Sequence, residues 1–111
     1  MAQIEKVLTT LPGGKKFVAV DLTALTLVEG KATVTVGSVN QIDTIIGTVP
    51  TPELTNDYVL AYGFSTEAEG LAPNQVQVEV KKMQLSATNT WGAALTADVS
   101  DSVIRIAVVG N

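Results

Sequence analysis

The 111-residue sequence contains neither histidine nor cysteine. Without cysteine, the chain has no disulfide framework, no thiolate nucleophile and no cysteine-type zinc site. Without histidine, it lacks the commonest general base and the commonest ligand of transition metals. These two absences remove most of the usual catalytic equipment, so we expect a protein that is not an enzyme and that needs no cofactor.

Positive charge and long apolar runs are also scarce. Seven basic and eleven acidic residues give a net charge of −4, which is the wrong sign for gripping phosphate backbones, so we expect no nucleic-acid partner. The N-terminus shows no export signal, and Arg105 interrupts the longest apolar run near the C-terminus. That run is well short of the ~20 residues of a membrane span. The sequence therefore predicts a soluble protein with no membrane partner.

What the sequence does contain is a period-2 alternation of apolar and polar residues. The alternation is cleanest at residues 75–81 (QVQVEVK) and returns at residues 31–36 (KATVTV). Such a pattern is typical of half-buried antiparallel strands. Since only five side chains are aromatic, we expect a core built mainly from Val, Ile, Leu and Ala.

The same pattern predicts further strands at residues 41–49, 57–64 and 102–109, and an N-terminal edge strand or arm over residues 4–10. Helix is scarce: residues 51–54 are compatible with one short turn, and residues 87–97 are either a loop or a turn of helix. A chain of this length fits one core. We therefore expect an extended arm or edge strand over residues 1–14 and a single β domain over residues 15–111.

About seven short strands with little helix predict an all-β fold. The strand spacing favours an antiparallel β-sandwich, jelly-roll or Ig-like, or a small β-barrel, and it does not decide between them. The phase of alternation changes between residues 15 and 28, which predicts a bulge or break near Thr23-Ala24. Glu29-Gly30 predicts a tight turn that makes residues 25–36 a hairpin.

The stretch LPGGKK at residues 11–16 has the composition of a phosphate-binding loop. A P-loop needs glycine five residues before the Gly-Lys pair, Ser or Thr after it, and a helix beyond. Here the earlier position is Thr9, Lys16 follows Lys15, and the next residues alternate as a strand. We therefore interpret the stretch as a turn, in which Gly13 and Gly14 reverse the chain.

Two acidic pairs are candidate calcium ligands, Glu67 with Glu69 and Asp98 with Asp101. Neither pair fits the twelve-residue calcium loop, so we expect ordinary turn residues, and the sequence leaves metal binding by either pair open.

Three aromatic residues are candidate interaction sites. Trp91 lies among small and polar neighbours, and we expect it to plug one end of the core, the alternative being an exposed anchor for a partner. Tyr58 and Tyr62 share one face of their predicted strand, where we expect them to cap the core. A sugar-stacking platform is the alternative for the two tyrosines.

The order of several segments resembles small β-rich virion proteins of tailed bacteriophages and related archaeal viruses. The segments are GGKK leading into a strand, VQVEVKK at residues 76–82, ATNTW at residues 87–91 through DVS at residues 98–100, and a last strand ending VGN. The resemblance covers about half of the chain and contains no catalytic motif. It implies a capsid-associated or decoration-type subunit that acts as a homo-oligomer.

We accordingly expect a non-enzymatic structural protein, located in the virion or, in a cell, in the cytoplasm. It would act by self-assembly and surface binding, with copies of itself and capsid or tail proteins as partners. The alternative is a carbohydrate-binding β-sandwich that stacks sugars on Tyr58, Tyr62 or Trp91, with or without calcium.

Overall fold

The computed structural model describes residues 2–50, 58–84, 90–100 and 102–111. These residues form strands and one short 3-10 helix at Thr96–Val99, which confirms the all-β prediction. The strands are β1 (Ala2–Leu11), β2 (Lys15–Thr23), β3 (Lys31–Thr35), β4 (Ile42–Pro50), β5 (Tyr58–Ser65), β6 (Gln75–Gln84), β7 (Gly92–Ala93) and β8 (Val103–Gly110).

The strands form two antiparallel sheets. Sheet A has the order β1-β2-β8-β4, and sheet B has the order β3-β6-β5, with the short β7 also paired to β6. The pairing is nested along the sequence: β3 and β6, which pair in sheet B, both lie between β2 and β8, which pair in sheet A. Two antiparallel sheets of this kind are consistent with the predicted β-sandwich or small barrel.

The core lies between the two sheets and is built from alternate residues of their central strands. Because side chains alternate across a strand, each central strand sends every second residue inward. The inward residues are at most 1% exposed, and they are Val18, Val20 and Leu22 of β2, Val76, Val78 and Val80 of β6, and Ile104, Ile106 and Val108 of β8.

The turns agree largely with the sequence. Residues 12–14 form a turn in which Gly13 and Gly14 have φ of 84° and 79°, which confirms the predicted turn. β2 ends at Thr23, and Ala24 has φ of 52°, so the predicted break is confirmed. Left-handed φ values of this kind favour glycine, and among the described residues glycine supplies four of the six positions that have them, Ala24 and Glu29 being the other two.

The hairpin predicted over residues 25–36 is wrong, although its turn is present. The pairing before β3 is a single bridge between Val28 and Lys31. Leu25 and Leu27 are buried in the core, and the Leu27 amide donates to Thr96 Oγ1 at 2.9 Å. This segment is therefore held by the 3-10 helix region and does not pair as a strand.

Of the two possible helical segments, residues 51–54 lie outside the described residues. The described part of residues 87–97 contains β7 and the beginning of the 3-10 helix. No helix in the described ranges is both long and apolar enough to cross a bilayer.

The end of β8 is packed tightly against the chain before β4. The Asn111 amide donates to the Gln41 carbonyl at 3.0 Å, and the Asn40 amide donates to the Asn111 carbonyl at 2.8 Å. A Cβ on Gly110 would lie 2.1 Å from the Gln41 carbonyl oxygen. Only glycine allows this approach of the two backbones.

A candidate assembly surface on sheet A

Strand β1 is one of the two edge strands of sheet A and exposes large apolar side chains. Ile4 is 66% exposed and Leu8 is 51% exposed. The register with β2 shifts between Val7 and Thr9, so Leu8 has no direct partner in β2. A bulge of this kind is common at sheet edges, where it bends the strand and interrupts its pairing.

The first half of β1 is fixed to the end of sheet B through the side chains of Gln3 and Glu5. Glu5 Oε1 accepts the Ser38 amide at 2.8 Å, and Glu5 Oε2 accepts the Gly37 amide at 3.1 Å. Gln3 Nε2 donates to Glu5 Oε2 at 3.0 Å and to the Thr35 carbonyl at 2.6 Å. Glu5 therefore joins β1 to the segment that follows β3.

The pKa of Glu5 reflects these contacts. Partial burial of the carboxyl raises its pKa, but hydrogen bonds from the Ser38 and Gly37 amides and from the Gln3 side chain lower it, and the net direction is downward. Hydrogen bonds donated to a carboxylate favour the charged form. The anchor of β1 is therefore a carboxylate held in its ionised state.

The outer face of sheet A consists of the side chains of β1, β2 and β8 that point away from the core. The register places Ala19 of β2 opposite Ala107 of β8, and Ala107 opposite Gly47 of β4. These small residues lie side by side on neighbouring strands, so they form a row that is lower than the larger side chains on either side. The face comprises Ile4, Lys6, Leu8, Phe17, Ala19, Asp21, Val103, Arg105, Ala107 and Val109.

Ala19 of this row lies in a groove of about 410 Å³, which is also lined by Lys6. Ile4 and Leu8 line its apolar side, and an ion pair between Asp21 and Arg105 lies on the same face. A second concavity, of about 470 Å³, lies beside the Glu29-Gly30 turn and is lined by Thr26, Val28, Lys31, Ala32 and Thr33. We regard the first as the better candidate, because it lies on a broad sheet face.

The ion pair of the groove is bidentate. Arg105 Nε donates to Asp21 Oδ1 at 2.6 Å, and Arg105 Nη2 donates to Asp21 Oδ2 at 3.2 Å. The hydrogen bond from Arg105 lowers the pKa of Asp21, and the same bond raises the pKa of Arg105. Because the pair is exposed, it adds little to stability, and it fixes the direction of two polar groups that line the groove together with Ile4 and Leu8.

Trp91 stands at the surface, with 43% of its side chain exposed. The prediction that this ring plugs the core is therefore wrong, and the exposed alternative describes its position. Trp91 directly precedes β7, whose Gly92 lies opposite Lys82 of β6. Small neighbours on both sides of Trp91 did not reveal which way the ring points, because tertiary packing decides it.

The two tyrosines lie on the inner side of β5, as predicted. Tyr62 packs against the core, and its hydroxyl lies 3.5 Å from Ser102 Oγ. Tyr58 is half-buried, and its ring centre lies 4.6 Å from Lys82 Nζ.

The structure describes three of the four acidic candidates. Asp98 binds Lys82 Nζ at 3.0 Å and accepts the Leu95 amide at 2.8 Å, so one of its oxygens is engaged by two donors. Asp101 lies outside the described residues, and Glu67 and Glu69 are exposed. Within the described ranges, no group of three or more acidic, histidine or cysteine side chains is placed to hold a metal ion.

Sequence reasoning missed the groove, although one signal for it is present. Val7 and Leu8 are consecutive apolar residues that break the alternation of β1, and the structure places both at the surface. No family model matches the chain, and neither the curated proteins nor the solved structures contain a significant match.

Proposed function

We propose that the protein is a non-enzymatic structural subunit that assembles with copies of itself and binds to a larger particle. The observation that carries this proposal is the outer face of sheet A, where the exposed side chains of Ile4 and Leu8 line a groove together with Ala19. The resemblance to small virion proteins supports a more specific form of the proposal, in which the particle is a virion and the subunit is of the capsid-decoration or head-tail-associated type.

The physical argument rests on the energy of burying this face. Scattered exposed apolar residues are normal, but adjacent ones around a groove indicate an interaction surface. Burying one Ile or Leu side chain fully contributes about 1.5–3 kcal/mol, while association must overcome about 4–15 kcal/mol of lost freedom. Ile4 and Leu8 alone are therefore insufficient, and the neighbouring Phe17 and Val109 must share the contact.

Self-association is tested by size-exclusion chromatography with light scattering over a wide concentration range. We expect the wild-type protein to form oligomers, and we expect Ile4→Asp and Leu8→Asp to weaken any contact that uses the outer face. Val28→Asp is the matched control, because Val28 is 73% exposed but lies on the turn before β3. A wild-type protein that stays monomeric at every concentration would contradict the self-assembly part of the proposal.

Carbohydrate binding is the second candidate, favoured by the exposure of Trp91. Exposed tryptophan rings supply stacking surfaces for apolar faces of ligands, and Trp91 lies near Lys82 at one end of sheet B. A glycan array with and without a chelator tests this candidate. Binding that is lost in Trp91→Ala would support it, and no binding in either condition would refute it.

A further inference from the structure

Strand β5 has an unusually regular free edge. Its eight residues, YVLAYGFS, include no charged residue and no proline. Every residue from Tyr58 to Ser65 has a direct partner in β6, without any register shift. In the described ranges no strand pairs with the other edge of β5. An uncharged, unbulged edge of this length is a template for another strand.

The other three free edges carry features that discourage pairing. β1 has its register shift at Val7–Thr9, and charged Glu5 and Lys6 lie just before it. β4 has two register shifts, one between Ile42 and Thr44 and one between Ile45 and Gly47. β3 is only five residues long and begins with Lys31. Bulges, charges and short length are the usual protections of edge strands, and β5 has none of them.

The side chains of β5 also leave the core incomplete at this edge. Leu60, Tyr62 and Phe64 point inward and pack against the core, yet each is only half-buried. On the opposite face, Ala61 and Gly63 are small and exposed. A strand placed beside β5 would therefore cover a row of large apolar side chains and meet little obstruction on the outer face.

We infer that β5 pairs antiparallel with β5 of a second copy of this chain, around a two-fold axis at Ala61. In that register Tyr58 faces Phe64 of the other copy, Leu60 faces Tyr62, and Val59 faces Gly63. On the inner face, large residues thus lie opposite large residues. On the outer face, Val59 lies opposite Gly63, and Ala61 lies opposite Ala61 of the other copy. Cross-strand aromatic pairs of this kind are stabilising, and no like charges meet.

The self-complementary register identifies the partner as a second copy. A two-fold contact brings the same sequence against itself in reverse order. In β5 this reversal places the large inward residues opposite one another and Val59 opposite the small Gly63. Main-chain hydrogen bonds would join the two copies of sheet B into one continuous sheet, as in β-strand addition. This inference rests on the proposed function and adds to the outer face of sheet A a second contact, the β5 edge of sheet B, through which two copies associate.

Disulfide trapping tests the predicted register. The natural chain has no cysteine, so Ala61→Cys introduces a single thiol at the proposed axis. Directly opposed residues of an antiparallel pair are about 4.5–5.5 Å apart between Cα atoms, within the range that a disulfide spans. We expect a disulfide-linked dimer from Ala61→Cys under mild oxidation. Thr33→Cys, on the free edge of β3, is the matched control and stays monomeric on non-reducing gels.

Introducing a charge at position 61 gives an independent test of the predicted contact. Ala61→Lys and Ala61→Glu place like charges opposite each other at the axis, and each is expected to raise the dimer dissociation constant at least about tenfold. Mixing the two variants is expected to restore a heterodimer. Ala61 is exposed, so neither variant disturbs the core, and Thr33→Lys is the control that leaves association unchanged.

The outcomes separate this inference from the proposed function. If the wild-type protein associates but the Ala61 variants behave like the Thr33 controls, the β5 contact is wrong and self-assembly stands. If the wild-type protein is monomeric at every concentration, both the β5 contact and the self-assembly part of the proposed function are refuted. Trapping at Ala61 together with dissociation by like charges, reversed in the mixture, supports the contact.

Discussion

Replacing Glu5 by Gln is the sharpest test of how β1 is held. The substitution keeps the size of the side chain and one carbonyl oxygen, but it removes the negative charge and one of the two acceptors that bind the Gly37 and Ser38 amides. Hydrogen bonds to charged groups contribute about 1.5–3 kcal/mol each. Gly37 is exposed and Ser38 is half-buried, so water replaces part of what is lost.

We therefore expect Glu5→Gln to lower the free energy of unfolding by about 1–2 kcal/mol at neutral pH. For a domain of this size, that loss corresponds to a fall in melting temperature of about 5–10 °C. The first half of β1 should also exchange its amide hydrogens faster, because its attachment to sheet B is weakened. Urea unfolding and hydrogen exchange measure the two effects.

The pH dependence provides the decisive comparison. The pKa of Glu5 in the folded protein lies below its ordinary value of 4.5, so its contribution is fully present above that value and is lost as the pH falls through the folded-state pKa. The wild-type protein and Glu5→Gln should therefore differ at neutral pH and converge in acid. Glu69→Gln, at an exposed loop position, is the control. An equal difference at neutral and acid pH would refute the role of the charge.

Two further predictions concern packing. Gly110→Ala should destabilise the protein strongly, because its Cβ would lie 2.1 Å from the Gln41 carbonyl oxygen, whereas Gly47→Ala meets open space and should change the melting temperature little; equal melting temperatures would contradict this. Ile106→Ala should lower the free energy of unfolding by about 2–5 kcal/mol, since Ile106 is fully buried, while Ile46→Ala at a 43% exposed site should cost far less; urea unfolding of both variants checks the contrast.

The strands were predictable because their alternation is local. The segments predicted at residues 41–49, 57–64 and 102–109 correspond to β4, β5 and β8, each displaced by a single residue. In such segments, consecutive residues alternate between the buried face and the polar face, so both faces can be recognised from the local sequence. Strand existence therefore required no knowledge of which strands pair.

The errors occur where distant residues decide the outcome. Leu25 and Leu27 have the spacing of a strand, but a hydroxyl from Thr96 takes the place of a strand partner. The burial of Trp91 likewise depends on what the rest of the chain leaves uncovered. The groove brings together Ile4 and Leu8 of β1, Ala19 of β2 and Arg105 of β8, and no single strand contains that information.

The position of β8 determines when the protein can fold during its synthesis. β8 lies between β2 and β4, so those two strands leave the ribosome well before the strand that joins them. Pairings between such distant segments form slowly, and until then the nascent chain exposes valine rows that are prone to aggregate. The sandwich therefore forms only after β8 has been translated. Before that, chaperones that bind extended apolar segments can bind the nascent chain.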